Sequence, residues 1–263
     1  MKLYYRIFAF FASITLLLSS TGIYEKRENK TVFIAHRGYC SHYLENTEEA
    51  FQKAAEVGFG GCETDVRITS DGELILAHGG SYEYADGTKL EVEKNTLAVL
   101  TAKPLKNDFT DTVLYPCTFK RYLEILKEND MVAFIELKGE YPDESLDKII
   151  NTINGTYDMK MCSIQSMQIE NLKKLKAKYP DLPLMFCGGG LSRDAIEAVK
   201  IGFDIDMKIY DFWPIFISLA KLRGVKVALW TADTSAEVAF ALSCNPDYIE
   251  SDWLCGITKP EKR

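Results

Sequence analysis

The amino-acid sequence predicts an α/β protein, a (β/α)8 TIM barrel with a small insertion after the second strand. From Thr31 onward, short β-rich runs alternate with amphipathic helical stretches, which is typical of parallel βαβ units. Eight such runs fit a closed barrel, and an open doubly wound sheet is the rival fold. No G-x-G-x-x-G motif follows the first run, so the dinucleotide-binding version of that rival loses its main support.

The predicted elements follow from this alternation along the chain. The eight strands are Val32–Ala35, Cys62–Ile68, Val132–Leu137, Met161–Ile164, Leu184–Cys187, Asp204–Lys208, Lys226–Trp230 and Tyr248–Ser251. The helices are Thr47–Val57, Glu144–Ile153, Gln168–Tyr179, Ser192–Lys200, Pro214–Arg223 and Ser235–Leu242. Asn46 is the predicted N-cap of the first helix, with Glu49 three residues on, and Gly58, Gly202 and Gly224 occupy C-cap positions.

Residues 31–263 are therefore predicted to form one domain with an insertion at approximately 79–130. This stretch is too long for an ordinary connection between a strand and a helix, and it shows no clear repeat. Loops at the carboxyl ends of barrel strands carry function, so we expect the insertion to lie over the mouth of the barrel.

The first 30 residues do not fit the barrel pattern. Lys2 and Arg6 precede the apolar run Ile7–Leu18, and small residues follow it, which predicts a signal peptide or an N-terminal membrane anchor. The protein is then exported, or anchored in a membrane and facing outside. Seven scattered cysteines without a CxxC pair favour free thiols, and free thiols fit a reducing compartment such as the cytoplasm. The localisation stays open between these interpretations.

The charge balance limits the partners of the protein. The formal net charge is −7, whereas binding to nucleic acid requires a basic surface, so a nucleic-acid partner is excluded. An acidic chain still binds a phosphorylated small molecule where a metal ion and a few local cations reverse the field. The predicted partners are a small molecule and, through the N-terminus, a membrane. The sequence predicts no oligomeric state.

Two of the three histidines fall where the chain leaves a strand. His36 ends the first strand, and His78 ends the short run Leu74–Ala77. In a parallel barrel, the carboxyl ends of the strands form the catalytic rim. A single histidine in such a place is more often a structural hydrogen-bonding group, but two of three favour a catalytic role.

Carboxylates recur near the strand ends with a period of two. Glu63, Asp65 and Arg67 share one face of the second strand, and Glu136 and Lys138 share one face of the third. Carboxylates that point into a barrel are costly unless they pair with cations or hold a metal ion. Three carboxylates suit one divalent ion, Mg²⁺ or Ca²⁺, better than zinc. The alternative is a half-exposed strand whose charges lie in water.

A longer set of residues extends this pattern along the chain. Its members are His36-Arg37-Gly38, Glu45-Asn46-Thr47, Ala50-Phe51, Ala54 to Gly58, Glu63-Thr64-Asp65-Val66, Thr69, Asp71-Gly72, His78, Glu136 and Lys138. In order and spacing they resemble the glycerophosphodiester phosphodiesterase family. Trp230-Thr231 and the segment Asp247–Asp252 are similar to the last two strands of that family, so the resemblance spans Thr31 to Trp253.

The resemblance implies the same barrel and a metal-dependent hydrolysis of glycerophosphodiesters to glycerol phosphate and an alcohol. It also implies a role for each matching residue. The metal ligands are Glu63, Asp65 and Glu136, the general acid and base are His36 and His78, and the substrate contacts are Arg37, Lys138 and Trp230. For Trp230, a place in the core is the alternative.

The chain departs from the family pattern after the second histidine. Gly79 and Gly80 follow His78, where the family usually carries a polar residue, commonly Asp. That residue would orient the histidine, whereas glycines let the backbone approach a phosphate. Two further interpretations therefore stay open. One is a phospholipase acting on intact or lyso-phospholipids, which exposed apolar residues around the insertion would favour; the other is a non-catalytic binding relative.

Overall fold

The computed structural model describes residues 31–189, 192–212 and 214–254. The predicted signal peptide or anchor at residues 1–30 lies outside these ranges. Within them, no helix is long and apolar enough to cross a membrane. Six cysteines in the described ranges are free thiols, as the scattered pattern predicts: Cys40, Cys62, Cys117, Cys162, Cys187 and Cys244.

Eight parallel strands close into a barrel. In chain order the described strands are β1 Val32–Ala35, β2 Gly61–Ile68, β3 Leu74–Leu76, β4 Ser81–Glu83, β5 Lys89–Glu91, β6 Val132–Leu137, β7 Cys162–Ser166, β8 Leu184–Gly188, β9 Asp204–Lys208, β10 Val227–Trp230 and β11 Tyr248–Ser251. All except β3, β4 and β5 pair in parallel around the ring, and β1 joins both β2 and β11. The predicted barrel is therefore confirmed, because an open doubly wound sheet would leave two strands at its edges.

The helices cover the outside of the barrel. They are α1 Glu48–Val57, α2 Leu97–Leu100, α3 Phe119–Glu128, α4 Asp143–Thr156, α5 Ile169–Lys178, α6 Arg193–Ile201, α7 Pro214–Leu222 and α8 Ser235–Ser243. Gly58 and Gly202 end α1 and α6 in the left-handed conformation, as predicted.

The N-cap of α1 differs from the prediction. The cap is Thr47, whose hydroxyl accepts a hydrogen bond from the Ala50 N–H, and not Asn46. Asn46 has φ +56°, and its buried side chain instead bonds Thr64 and Asp65 on β2. A residue in that backbone conformation cannot take the extended geometry of an N-cap, so the next residue caps the helix.

The segment after β2 forms a small unit with its own core. β3 pairs antiparallel with the end of β2, β4 and β5 form a hairpin, and α2 follows. The buried apolar residues of this unit are Ile75, Ala77, Tyr82, Tyr84, Val92, Leu100 and Leu105. The last part of the predicted insertion, which was placed at 79–130, belongs to the barrel instead. Residues 119–128 form α3, which contacts α1 and α4 in the outer layer of the barrel.

The barrel interior has an apolar layer beneath a polar one. Ile34, Phe134, Met185 and Ala228 are fully buried and form a compact cluster inside the ring of strands. Strand side chains alternate between the interior and the helical layer, so the next inward residues on the same strands lie nearer the carboxyl ends. These residues are mostly polar, and they form the candidate site.

Candidate active site

A cavity opens at the carboxyl ends of the barrel strands. Its empty volume is about 320 Å³. The side chains that line it are His36, Arg37, Glu63, His78, Glu136, Lys138, Gln165, Met167, Cys187, Asp206, Trp230 and Glu250. Seven of the eight residues predicted for the site are among them, and the eighth, Asp65, contacts Lys138. The predicted site residues come from the ends of five different strands, and the cavity brings them together.

Strand register brings the three predicted metal ligands together. Glu63 and Asp65 are two apart on β2, and Asp65 lies opposite Glu136 in the parallel pairing with β6. Carboxylate oxygens of all three residues lie within 4.8 Å of one another. The alternative of a half-exposed strand is wrong, because the exposed fractions of these residues are 2%, 1% and 7%.

Two cations and an amide surround Asp65. Lys138 Nζ lies 2.9 Å from Asp65 Oδ1, Arg37 Nε lies 3.4 Å from Oδ2, and Asn46 donates a hydrogen bond of 2.9 Å to Oδ2. Burial by itself would raise the pKa of Asp65, but Lys138, Arg37 and Asn46 outweigh it and lower that pKa. Asp65 is therefore a carboxylate at neutral pH.

The pKa values of Glu63 and Glu136 are shifted in the opposite direction from that of Asp65. Burial, with the neighbouring carboxylates, raises the pKa of Glu63 well above its ordinary range. Burial also raises the pKa of Glu136, although Lys138 lies 2.7 Å from its Oε2 and opposes that shift. The two groups lack enough positive charge to be ionised at low cost, which is the situation that a bound cation relieves.

The turn after β1 holds Arg37 against the acidic residues. Arg37 has φ +58°, its backbone N–H donates to Glu63 Oε2 at 3.0 Å, and its guanidinium bonds Glu45. Gly38 follows with φ +82°, and a Cβ there would lie 2.8 Å from Ala50. The backbone therefore requires glycine at 38, because a side chain would both strain the turn and clash with α1.

His36 is oriented by a carboxylate that the sequence reasoning did not single out. Its Nδ1 lies 2.7 Å from Asp252 Oδ1, just beyond the end of β11. Burial would raise the pKa of Asp252, but the bonds to His36 and to the Cys40 thiol lower it. An ionised carboxylate only accepts hydrogen bonds, so Nδ1 carries the proton of this bond.

His78 reaches the cavity by a different route. β3 runs back along β2, and Arg67 donates hydrogen bonds to the Ala77 and His78 carbonyls at 3.0 and 2.9 Å. Burial lowers the pKa of His78, so the ring is neutral near pH 7. A Cβ at Gly79 or Gly80 would meet nothing closer than 3.8 Å, and neither residue has a positive φ. Nothing in the backbone requires glycine at these two positions.

Trp230 also borders the cavity. It is partly exposed at the end of β10, and Lys208 Nζ lies 6.0 Å from its ring centroid. The indole Nε1–H is buried and has no hydrogen-bond partner among the described residues. Trp230 therefore belongs to the cavity wall rather than to the apolar core.

Three more buried polar residues extend the site beyond the predicted set. Asp206 on β9 and Glu250 on β11 both lie near the Gln165 amide of β7, which donates to them at 3.3 and 3.4 Å. Burial raises the pKa of Asp206 to about 8. The sequence carries a signal for Glu250 alone among these three, because Glu250 and Asp252 are two residues apart at the end of β11, as Glu63 and Asp65 are on β2.

The acidic cluster fits a hard divalent cation. Its donors are carboxylate oxygens, the ligands that Mg²⁺ and Ca²⁺ prefer. Glu63 Oε1 is buried and has no hydrogen-bond partner in the described ranges, whereas buried polar atoms are normally satisfied. Glu63, Asp65 and Glu136 could thus hold a divalent ion.

A closed parallel barrel with acidic and histidine side chains at its carboxyl rim defines an enzyme of the TIM-barrel class. The family model of the glycerophosphoryl diester phosphodiesterase family matches residues 36–253. The chain therefore belongs to this family, and it is a phosphoric diester hydrolase.

Individual relatives and solved structures agree with this assignment. A glycerophosphodiester phosphodiesterase of Caldanaerobacter subterraneus is 26% identical over 236 residues, which cover 85% of this chain and 94% of the relative. A phosphodiesterase of Oleispira antarctica, solved with the product sn-glycerol-3-phosphate, superimposes with a TM-score of 0.73, 19% identity, and coverage of 84% and 92%. A glycerophosphodiester phosphodiesterase of Parabacteroides distasonis gives a TM-score of 0.69, 22% identity, and coverage of 84% and 92%. At these identities the two structures support the fold alone.

Proposed function

We propose that the protein hydrolyses glycerophosphodiesters to glycerol phosphate and an alcohol, with a divalent metal ion and a pair of histidines. The observation that carries the proposal is the convergence of His36, His78, Glu63, Asp65 and Glu136 on one cavity at the rim. Membership of the family sets the reaction class, and the cavity supplies the groups that such a reaction needs.

In this proposal, Glu63, Asp65 and Glu136 hold the divalent ion, either Mg²⁺ or Ca²⁺. When bound, the ion neutralises the phosphodiester and orients its oxygens. Arg37 and Lys138 lie beside the same carboxylates and present cationic groups to the cavity, where they would contact the phosphate. Trp230 would form the wall against which the substrate packs.

Proton transfer is assigned to the two histidines. Asp252 holds the Nδ1 proton of His36, so Nε2 is ready to take a proton from the attacking hydroxyl or water. His78 would be the acid that protonates the departing alkoxide, and for this step it must be in its imidazolium form, which the anionic phosphate of a bound substrate would favour. Each transfer is typically worth about 10²–10⁴-fold in rate.

A phospholipase that acts on intact or lyso-phospholipids is the second candidate. Phe109, Val113 and Tyr115 in the insertion have exposed fractions of 51%, 66% and 49%. Exposed apolar groups of this kind favour contact with a lipid surface. The N-terminal signal peptide or anchor, and with it export or a membrane location, stays a prediction.

The test is an assay of the purified full chain on glycerophosphodiesters and lysophospholipids, with and without EDTA. We expect EDTA-sensitive release of glycerol phosphate that is lost in His36→Ala and Glu63→Ala. His42→Ala is the matched control, because His42 bonds Ser41 and lies outside the cavity lining.

The outcomes separate the candidates. Faster turnover of lysophospholipids than of any water-soluble diester would favour the phospholipase. Activity that survives EDTA and both substitutions would refute the site assignment. Metal binding without hydrolysis of any diester would favour a non-catalytic relative.

A further inference from the structure

The outer helix α7 is apolar on the side that faces solvent as well as on the side that faces the barrel. Ile215, Leu219 and Leu222 have exposed fractions of 52%, 53% and 83%. They lie four and three residues apart, so they form one apolar stripe along the helix. The barrel side carries Phe216 and Ile217, which are buried. A surface helix normally turns a polar face to water, so the apolar stripe indicates a partner.

The helix α3, in the same outer layer, has the ordinary polar face. Its exposed residues include Lys120, Lys127 and Glu128, and Lys120 pairs with Glu124. The apolar stripe is therefore a property of α7 and not of the helical layer as a whole.

The end of α7 and the turn after it are basic. Residues 214–226 contain Lys221, Arg223 and Lys226 and no aspartate or glutamate, whereas the whole chain has a formal net charge of −7. Asp247 neutralises Lys221 in part, because its Oδ2 lies 3.6 Å from the ammonium. A positive segment in an acidic protein favours an anionic partner.

The neighbouring helix α6 adds a further cation at the same place. The Arg223 guanidinium donates hydrogen bonds to the Val199 and Lys200 carbonyls at 3.3 and 3.4 Å, so the C-terminal ends of α6 and α7 lie side by side. Lys200, Arg223 and Lys226, here called the basic cluster, are exposed, and none of them pairs with a carboxylate in the ranges that the structure describes. Ile201 beside them is 39% exposed. Apolar and unpaired basic groups are thus adjacent on the surface.

Thr31, the first described residue, lies at the same end of the barrel. Its hydroxyl donates a hydrogen bond of 2.9 Å to the Pro246 carbonyl, and Lys221 bonds the carbonyl of the adjacent Asn245. The signal peptide or anchor predicted at residues 1–30 directly precedes Thr31 in the sequence. An uncleaved anchor would therefore be joined to the barrel close to the end of α7.

We propose that the apolar stripe and the basic cluster dock the barrel on the surface of an anionic membrane. The apolar side chains enter the boundary between headgroups and acyl chains, and the basic groups contact lipid phosphates. A second copy of this chain fits less well, because a symmetric contact would bring two basic clusters together. None of these residues lines the active-site cavity, so docking is independent of the proposed reaction.

Hydrogen–deuterium exchange of the full chain, measured by mass spectrometry, tests docking at α7 itself and separates it from any binding by residues 1–30. We expect exchange in residues 214–226 to slow with vesicles that contain phosphatidylglycerol, and not with phosphatidylcholine vesicles. Raising NaCl to about 0.5 M should remove most of this protection, because salt screens exposed charges.

Paired variants test the apolar stripe. Leu219→Ser combined with Leu222→Ser should abolish the protection while the melting temperature and the hydrolysis of a water-soluble diester stay unchanged. Val113→Ser is the matched control: it removes an apolar side chain of the insertion that is 66% exposed, and it should keep the protection.

A second pair of substitutions tests the basic cluster. Lys200→Gln with Lys226→Gln should raise the vesicle concentration for half-maximal protection about fivefold for each cation, the equivalent of about 1 kcal/mol each. Lys120→Gln, which removes a cation paired with Glu124 on α3, should leave it unchanged.

Equal exchange in residues 214–226 with and without anionic vesicles would overturn the proposal. Protection that grows with protein concentration in the absence of lipid would also overturn it and would assign the apolar stripe to a second copy of the chain. Loss of protection in Val113→Ser would move the lipid contact to the insertion. None of these outcomes depends on diester hydrolysis, so docking and the proposed function fail separately.

Discussion

Two halves of the polar layer are equally buried and differ in charge. The half on β2 and β6 carries Asp65, and the half on β7, β9 and β11 carries Asp206; each residue has an exposed fraction of 1%. Yet the pKa of Asp65 is lowered, whereas burial raises the pKa of Asp206 to about 8. Burial alone therefore does not set the ionisation of a carboxyl group in this barrel. The position of a neighbouring cation does.

Lys138 and Arg37 together account for the lowered pKa of Asp65, whereas Lys138 alone does not outweigh burial at Glu136, whose pKa stays raised. Lys138 follows Glu136 by two residues along the direction of β6, so its ammonium reaches Glu136 and Asp65 together. On the other side of the barrel, Asp206 and Glu250 hydrogen-bond each other and the Gln165 amide, and no lysine or arginine of the described residues forms an ion pair with them. An amide satisfies one lone pair but supplies no net charge.

The largest expected effect comes from removing the cation of the first half. Lys138→Met should lower the free energy of unfolding in EDTA by about 3–5 kcal/mol, because two buried carboxyl groups lose their partner. Urea denaturation at pH 7 measures it. Lys120→Met, which removes an exposed ion pair with Glu124, should cost at most about 1 kcal/mol. Equal costs for the two variants would contradict the contrast between the halves.

The next largest effect concerns the orientation of His36. Asp252→Asn should lower kcat by about 10²-fold with little change in KM, because the imidazole loses its fixed tautomer and direction. Steady-state kinetics on the preferred diester measure this, and Asp252→Glu should restore part of kcat. Cys40→Ser retains a donor to the same carboxylate and should behave nearly as wild type. A rise in KM at unchanged kcat would argue against a positioning role.

A smaller effect is expected at the amide that supports Asp65. Asn46→Ala removes the hydrogen bonds to Asp65 and Thr64 and should weaken divalent-ion affinity by about 10-fold. Calorimetric titration with Ca²⁺ or Mg²⁺ checks it. Thr47→Ala is the adjacent control: it should cost about 1 kcal/mol of stability through the lost helix cap and leave ion affinity unchanged. Equal affinities in both variants would remove Asn46 from the site.

The smallest expected effect is on stability, and it is a gain instead of a loss. It concerns Asp206, in the half of the polar layer on β7, β9 and β11. In EDTA at pH 7, Asp206→Asn should leave the protein as stable as wild type or stabilise it by about 1 kcal/mol. The folded state keeps the Asp206 proton up to about pH 8, whereas the unfolded chain releases it near pH 4. Wild-type stability is therefore greatest below about pH 4 from this group and falls as the pH rises towards 8.

The pH dependence identifies the residue responsible. Asp206→Asn should flatten the fall in stability between about pH 6 and pH 8. Asp204, whose pKa burial raises to about 6, should contribute to the slope mainly between about pH 4 and pH 6. Urea denaturation of Asp206→Asn and Asp204→Asn between about pH 4 and pH 8 is the measurement. A slope above pH 6 that survives Asp206→Asn would assign it to another carboxyl group.

Much of the fold was predictable because the strands are local patterns. Runs such as Val132–Leu137 and Tyr248–Ser251 have the bounds that the sequence predicts. The errors lie where tertiary contacts override the local signal. The sequence pattern does not distinguish the helix α3 from the insertion that precedes it. Asn46 turns its side chain towards Asp65 inside the barrel instead of capping α1.

The sequence by itself determined the alternation of strands and helices, the inward parity of Glu63, Asp65 and Glu136, and the position of His36 at a strand end. These depend on spacing along one element, which the chain carries wherever it lies. Only the tertiary structure decided that Asp252 orients His36 and that Glu250 lies beside Glu63, because those pairs are far apart in sequence and meet only when β11 closes the ring against β1. The ionisation of the buried carboxyl groups was also decided by the tertiary structure, because it depends on which cations the closed barrel places next to each group.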